Sequence, residues 1–526
     1  MTDTLQKLLR QRADASGPAL LFEDERWSWQ EYVEESSRRA AALASMRDVD
    51  RPFHIGVLLD NTPEMAMALA AAGLGGHVVV GLNTTRRGEG LARDARHADC
   101  QLVLTDAGHL PLLDGLDLGG AGVLDVGSTE WKDLVASADP AAAPSSVVEP
   151  ADLFMLIFTS GTSGEPKAVR VTHEKVAFPA AYLTQMFGLT SDDTVYLSMP
   201  MFHSNAVMAG WGPAVACGAA MALAPRFSAS RFVDDIRRYG ATYMNYVGKP
   251  LAYVLATPER PDDADNPLKI AFGNEAADKD IADFAQRFGC WVQDGFGSTE
   301  NAVVISRLPG TPPGSLGRPL EGVEVLDPAT GRKCPPARFG AGGEVLNLDE
   351  ATGELVNTTG PGQFAGYYKD DAATAARMRG GMYWSGDLAY RDEDGWVYFA
   401  GRTSDWLRVD GENLAAAPIE RILLRHPDVN RVAVYAVPDE RVGDQVMAAI
   451  VLRDGAELEP APFGEFLRGQ ADLGTKMWPR FVRVTAELPT TATNKILKRE
   501  LLRQGIEGAG DPVWERDERG TSYSLR

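Results

Sequence analysis

Cysteine is scarce. Cys100, Cys217, Cys290 and Cys334 are the four in 526 residues, and no two lie close enough in sequence to act as a ligand pair. That spacing excludes a zinc knuckle and a CxxC redox centre. It fits buried free thiols in a reducing cytoplasm. Basic charge is also in deficit: 52 Lys+Arg stand against 73 Asp+Glu, a net charge of -21. Neither nucleic acid nor an anionic membrane surface is expected as a partner, although an anionic small molecule needs only a local basic pocket. Long apolar runs are nearly absent. The exception, NAVMAGWGPAVACGAAMALAP (205–225), has the length of a membrane span. It is rich in Ala and Gly and broken by Pro213, so a buried helix and strand is expected there, and no membrane span. The opening MTDTLQKLLRQRADASG lacks the basic-then-apolar order of a signal peptide, and the expected location is cytoplasmic. No internal repeat is visible.

The composition that remains, 44% hydrophobic and 24% charged, is that of a globular protein long enough for several domains. Over the first 400 residues, apolar runs alternate with helical stretches: HIGVLLD (54–60), HVVVGL (77–82), QLVLTD (101–106), GVLDVG (122–127) and LFMLIFT (153–159). Short Val/Ile/Leu runs between helices predict parallel strands covered on both faces. From about 310 to 354, Gly and Pro multiply around VEVLD and GEVLNL, which predicts a small β-rich subdomain. After Gly401, RVAVYAVPD and QVMAAIVLRD read as paired strands beside helices near 415–425 and 462–471. The expected class is α/β: a large N-terminal domain of parallel-rich sheets covered by helices, with a β-rich subdomain, and a small mobile α+β C-terminal domain.

The densest chemical signal is TSGTSGEPK (159–167), directly after an apolar strand. Glycines let a backbone approach a phosphate closely, hydroxyls and amides donate to its oxygens, and Lys167 adds positive charge. The GxxxxGK[ST] spacing of a Walker A loop is absent. Further clusters follow in order: MPMFH (199–203), DGFGSTE (294–300), YWSGD (383–387), GRTSD (401–405), DGEN (410–413) and NK (494–495).

Together these motifs resemble the signatures of the adenylate-forming superfamily, which includes acyl-CoA synthetases, luciferases and peptide-synthetase adenylation domains. They span nearly the whole chain. The GRTSD and DGEN pair and the FGNEA run (272–276) resemble the fatty-acid-transport-protein, very-long-chain and actinobacterial fatty-acyl-CoA synthetase branch. The resemblance implies attack of a carboxylate on the ATP α-phosphate, then transfer of the acyl group to a thiol. Such chemistry rests on positioning and charge neutralisation. It implies ATP, Mg2+ and CoA as cofactors. It also implies an N-terminal domain over 1–400, a hinge at 401–404 and a mobile C-terminal domain over 405–526.

Site residues carry over by motif. Thr159, Ser160, Gly161, Thr162, Ser163, Gly164 and Lys167 are expected to hold the β- and γ-phosphates. Asp294, Gly295, Phe296, Gly297 and Ser298 are expected along the adenine and the acyl carbonyl. Thr299 should reach the α-phosphate and Glu300 should hold Mg2+, the usual arrangement of one carboxylate plus phosphate oxygens. Asp387 and Arg402 should meet the ribose. Lys495 should neutralise the carboxylate and α-phosphate in the first half-reaction. Gly411 should let the backbone pass the pantetheine arm in the second. His203 should border the acid pocket and the route to the thiol, without acting as a base, because a carboxylate is already ionised at neutral pH. The chain departs from the commonest pattern at Phe296, Ser404 and Asn494, which leaves adenine stacking possible but the pivot less defined.

The acid pocket is expected along 199–224 with Trp211, Tyr246, Val247, Gly273 and Asn274, an apolar lining that suits a lipophilic acid. Trp211 is open to two roles, gate or core. The small residues Gly210, Gly212, Ala214 and Ala216 are read as room for a polycyclic acid beside a fatty one. Three alternatives stay open: an acyl-AMP ligase loading a separate carrier protein, a non-catalytic lipophilic-acid binding protein, and an oxygen-using luciferase. A homodimer is also left open.

Overall fold

The computed structural model describes residues 4–143, 147–159, 166–308, 310–340, 345–402, 406–409, 412–439, 443–470, 473–474, 477–490, 496–506, 510–517 and 520–526. The chain forms two compact units: Met1–Ala302 with Gln363–Ala376, and Val303–Gly362 with Arg377–Arg526.

The first unit holds two sheets. In chain order its strands are β1 (Pro18–Phe22), β2 (Glu25–Ser28), β3 (His54–Leu58), β4 (Val78–Gly81), β5 (Cys100–Thr105), β6 (Gly122–Asp125), β7 (Leu153–Thr159), β8 (Lys167–Thr172), β9 (Thr194–Leu197), β10 (Ala220–Leu223), β11 (Tyr243–Val247), β12 (Ile270–Asn274) and β13 (Trp291–Phe296). One sheet runs β6-β5-β3-β4-β7-β8, parallel except for β8. The other contains the run β13-β12-β11-β9-β10-β1-β2, parallel except for β2. The predicted parallel strands are therefore present, and their apolar runs have a physical cause. Every residue of β3 and β4 is buried, as strands covered on both faces require.

The helix Pro63–Gly75 shows how completely this unit is filled. Thr62 caps its N-terminus by accepting from Met65 N, Pro63 sits in the first turn, and Gly76 ends it at φ 70°. Its sequence is apolar on all sides, and residues 65–75 are all buried. A helix of that kind must lie inside a large core. Nearby, Tyr32 Oη donates to Ala66 O at 2.6 Å and receives Trp211 Nε1 at 3.0 Å. Trp211 also stacks on Phe154, with centroids 6.0 Å apart. Of the two roles open for Trp211, its packing matches the core one.

The uncharged stretch forms the helical segments Ser204–Ala206, Val207–Trp211 (a π turn) and Gly212–Cys217, and then β10. Among the described residues, no helix is long and apolar enough to cross a membrane. Gly210 and Gly212 sit against close neighbours. A side chain at Gly210 would meet Leu197 Cδ2 at 2.4 Å and Asn245 Oδ1 at 2.6 Å, and one at Gly212 would meet Val207 O at 3.0 Å. Ala214 is fully buried in the core. At 210 and 212 small size serves close packing.

In the second unit, the strands Val323–Leu326, Gly353–Asn357, Met382–Arg391 and Val397–Arg402 pair antiparallel in that order. Of the expected GEVLNL strand, Gly343 and Glu344 lie outside the described residues, and the rest forms no strand. Val345 makes only an isolated bridge to Phe339, and a helix follows at Leu348–Ala351. The cause is local. Asn347 accepts from Arg338 N and donates to Pro336 O, and Leu346 stays 62% exposed, so the run turns rather than continuing as a strand. The next run, GELVN, supplies the strand instead. Further on, Val429–Asp439 pairs antiparallel with Gly443–Leu452, which pairs parallel with Phe481–Val484. The helices Ala416–Leu423 and Pro460–Arg468 share their core.

The Tyr32 hydroxyl satisfies two buried groups at once. Tyr32→Phe is therefore expected to lower stability by about 1–3 kcal/mol, read as a lower midpoint in urea with an unchanged slope.

Candidate functional site

Parallel strands end on a common side, and the loops that leave those ends collect the chemistry. In the first unit, Thr159 ends β7 and Lys167 begins β8, and the two are direct cross-strand partners. They are the feet of the phosphate-type loop. Ser160, Gly161, Thr162, Ser163 and Gly164 lie outside the described residues. Lys167 Nζ stands 5.2 Å from the centre of the Tyr367 ring. Tyr367 Oη donates to Glu300 Oε1 at 2.8 Å. A cationic group and a carboxylate thus flank one tyrosine at the foot of the loop. Among the described residues, no group of three or more His, Cys, Asp or Glu could hold a metal. A single carboxylate is what Mg2+ uses when phosphate oxygens and water complete its shell, so Glu300 fits that ion.

Thr299 Oγ1 lies 2.9 Å from Ser204 Oγ, at the start of the helical stretch that follows His203. His203 itself sits just before that helix, its ring centre 4.5 Å from that of Phe202. Burial pushes its imidazole down to about 4, so it is neutral at pH 7.

Asp294 is held across three strands. Tyr246, Gly273 and Asp294 fall in one row, Tyr246 paired to Gly273 and Gly273 to Asp294. Residues in one row point to the same face, so the missing side chain at Gly273 opens a path. The Tyr246 ring lies over it, and Tyr246 Oη donates to Asp294 Oδ2 at 2.9 Å. A Cβ at Gly273 would meet Tyr246 Cδ2 at 2.5 Å and Tyr246 O at 2.3 Å. Ala276 N adds a second donor to Asp294 at 3.2 Å. One position on, Val247, Asn274 and Gly295 form the next row, and Asn274 Nδ2 donates to Gly295 O at 2.7 Å. Phe296 is the last residue of β13, followed by Gly297 and Ser298, whose carbonyl accepts from Asn301 N. Tyr246, Val247, Gly273 and Asn274, grouped in the sequence as acid-pocket residues, are therefore brought together, and two of them also support Asp294 and Gly295.

In the second unit, Asp387 and Arg402 are direct cross-strand partners. The two residues expected at the ribose are neighbours in register. Asp387 is buried and its N–H donates to Ser385 Oγ at 3.0 Å. The Arg402 side chain lies outside the described residues, as do Gly411 and Lys495.

Three residues were not found from sequence: Tyr367, Ser204 and Lys175. Lys175 is wholly buried on the helix His173–Phe187, and its Nζ donates to Arg170 O at 3.4 Å. Burial pushes its ammonium down to about 8, opposed by the Glu300 carboxylate. Tyr367 and Ser204 meet their partners through long-range packing, which no local motif records, and Lys175 comes under the influence of Glu300 only through the fold.

Two predictions follow from this geometry. Gly273→Ala should displace the Tyr246 ring and break its bond to Asp294, costing about 1–3 kcal/mol and weakening nucleotide affinity, read by denaturation and titration calorimetry. The second concerns acid. His173 is buried with neither ring nitrogen partnered, and burial lowers its imidazole to about 4. The unfolded imidazole, near its ordinary value of about 6.5, binds a proton first. Stability is therefore lost as pH falls from about 6.5 toward 4, at up to about 1.4 kcal/mol per pH unit for this group. His173→Leu should flatten that slope in urea titrations at pH 7, 6 and 5.

Residues 9–368 match the AMP-binding enzyme family, and residues 418–495 match the AMP-binding enzyme C-terminal domain. The medium/long-chain-fatty-acid–CoA ligase FadD17 of Mycobacterium marinum is 55% identical over 511 residues, 97% of this chain and 98% of that protein. The steroid-22-oyl-CoA synthetase of Rhodococcus jostii is 47% identical over 517 residues, 97% and 92% of the two chains. The O-succinylbenzoate coenzyme A synthetase of Bacillus subtilis, solved with ATP and magnesium ion, superposes with a TM-score of 0.78 at 26% identity, covering 94% of this chain and 99% of that one. The chain belongs to the AMP-binding enzyme family, the adenylate-forming superfamily whose signatures its motifs carry.

Proposed function

We propose that this acyl-CoA synthetase activates a lipophilic carboxylic acid, with ATP and Mg2+, to an acyl-adenylate and pyrophosphate, and then passes the acyl group to CoA. The observation that carries this reading is the pairing of Lys167 and Glu300 around Tyr367 at the foot of the phosphate loop. It supplies positive charge for phosphate oxygens and a carboxylate for the metal in one place. The names of the relatives support the acid class: one is a medium/long-chain-fatty-acid–CoA ligase, the other a steroid-22-oyl-CoA synthetase. Both acids are lipophilic and both are activated as CoA thioesters.

In this reading the chain's own groups position and neutralise. Thr159, Ser160, Thr162 and Lys167 hold the outer phosphates. Thr299, supported by Ser204, meets the α-phosphate. Asp294 and its flanking residues line the adenine, and Asp387 with Arg402 meets the ribose. When bound, Mg2+ neutralises charge on the phosphates. His203, neutral at pH 7, borders the acid. A carboxylate needs no base to attack phosphorus, so the site lowers the barrier chiefly by alignment and charge compensation.

Lys495 and Gly411 then serve alternate half-reactions, with residues 401–404 as the hinge between two orientations of the domain that follows. Hinge closure of this kind is a known class of transition.

The test is acid-dependent pyrophosphate release with ATP and Mg2+, with and without CoA, over medium- to very-long-chain fatty acids and steroid side-chain acids. Release accompanied by a CoA thioester is the expected result. Release without thioester would overturn CoA as acceptor. Lys495→Ala should lose at least about a hundredfold in adenylation, of the order of one strong transition-state contact, while still forming thioester from preformed acyl-adenylate. Gly411→Trp should do the reverse. Equal loss of both halves in either variant would contradict the alternation.

A further inference from the structure

Tyr367 touches two groups of opposite charge through different parts of one side chain. Its hydroxyl donates to Glu300 Oε1, while the Lys167 ammonium stands 5.2 Å from the centre of its ring. A phenol offers a donor at its edge and an electron-rich face. It can therefore hold a carboxylate and an ammonium together without carrying charge. No ion pair joins Lys167 to Glu300 among the described residues; the tyrosine is what both of them meet.

The ring is fixed from every direction. Tyr367 is 4% exposed, and its centroid lies 5.1 Å from that of Phe364 in an edge-to-face contact. Its backbone forms an antiparallel bridge with Val169, on the strand that leaves the phosphate loop. Arg170 N donates to Gly366 O at 3.1 Å and Tyr368 N to Ala168 O at 2.8 Å. Tyr367 N donates to Thr374 Oγ1 at 3.0 Å. The same strap is pinned beyond the tyrosine by Tyr368 Oη and Lys369 Nζ on Asp99, at 2.8 and 2.5 Å. On the Glu300 side, the Asn301 side chain donates to Gln363 Oε1. Residues 363–369 thus tie the strand after the phosphate loop to the loop that carries Glu300.

We propose that Tyr367 is a positioning residue that orients the Glu300 carboxylate and keeps it apart from the Lys167 ammonium. A direct Lys167–Glu300 pair would neutralise both groups, leaving less charge for phosphate and less for a cation. With the ring between them, each faces its own ligand. The hydroxyl restricts Glu300 to one orientation, and the ring face seats Lys167. This rests on the reading of Lys167 as a phosphate ligand and Glu300 as a Mg2+ ligand.

Two variants separate the two parts of the side chain. Tyr367→Phe keeps the ring and removes the donor. Tyr367→Leu removes both. ATP affinity is measured by calorimetry in EDTA and in Mg2+, beside the Mg2+ concentration giving half-maximal pyrophosphate release and the thermal midpoint. Tyr367→Phe is expected to raise the Mg2+ requirement about fivefold, the size of one hydrogen bond, with ATP affinity in EDTA unchanged. Tyr367→Leu is expected to weaken ATP in EDTA by a similar factor as well. An unchanged Mg2+ requirement in Tyr367→Phe overturns the proposal. So does an equal loss of affinity with and without Mg2+ in that variant, the mark of a purely structural role. Glu300→Gln serves as the reference. If it leaves the Mg2+ requirement unchanged, the assignment of Glu300 fails and the proposal with it; if it raises the requirement and Tyr367→Phe does not, the proposal alone fails.

Discussion

Parallel pairing is the constraint on which the site depends. A strand in a parallel sheet must deliver its carboxyl end to the same edge as its neighbours, and helices must carry the chain back each time. In the first unit this brings the end of β7, with Thr159, to the edge of one sheet. It brings the ends of β11, β12 and β13, with Val247, Asn274 and Phe296, to the edge of the other. Tyr246 and Asp294, on strands that are not adjacent in sequence, become neighbours for that reason. The apolar cores beneath, including a helix buried on all sides, exist to hold those edges in register.

Within that frame, polar groups are placed by register rather than by local sequence. Tyr246 reaches Asp294 because Gly273 stands between them in the same row. Asp387 and Arg402 face one another because their strands are antiparallel partners. Burial then sets their chemistry. His203 and His173 are held neutral, and Lys175 is drawn toward deprotonation. Fixed, desolvated groups of this kind leave little reorganisation for a reaction carried out among them.

Much of this was legible in the sequence, for identifiable reasons. The parallel strands of the first sheet were readable because burial on both faces leaves continuous Val/Ile/Leu runs. The family was readable because its motifs recur in order along nearly the whole chain. Elsewhere, sequence reasoning met competing effects. GEVLNL has a strand-like pattern, but Asn347 turns the chain by its own hydrogen bonds. The small residues at 210, 212, 214 and 216 read as room, yet size at one position says nothing about what lies beside it; at 210 and 212 that is Leu197, Asn245 and Val207. Tyr367 lies within an aromatic run whose partners, Lys167 on β8 and Glu300, are brought to it only by the fold.

The ring of Tyr246 over Gly273 binds two positions into a single unit of variation. Any enlargement at 273 removes the floor on which the aromatic ring rests, and any shortening at 246 leaves an unfilled slot beside Asp294. Neither residue can drift alone without disturbing the other. This row of the sheet is therefore open to remodelling only by paired exchange, and a redesign there would start from coupled libraries at these two positions.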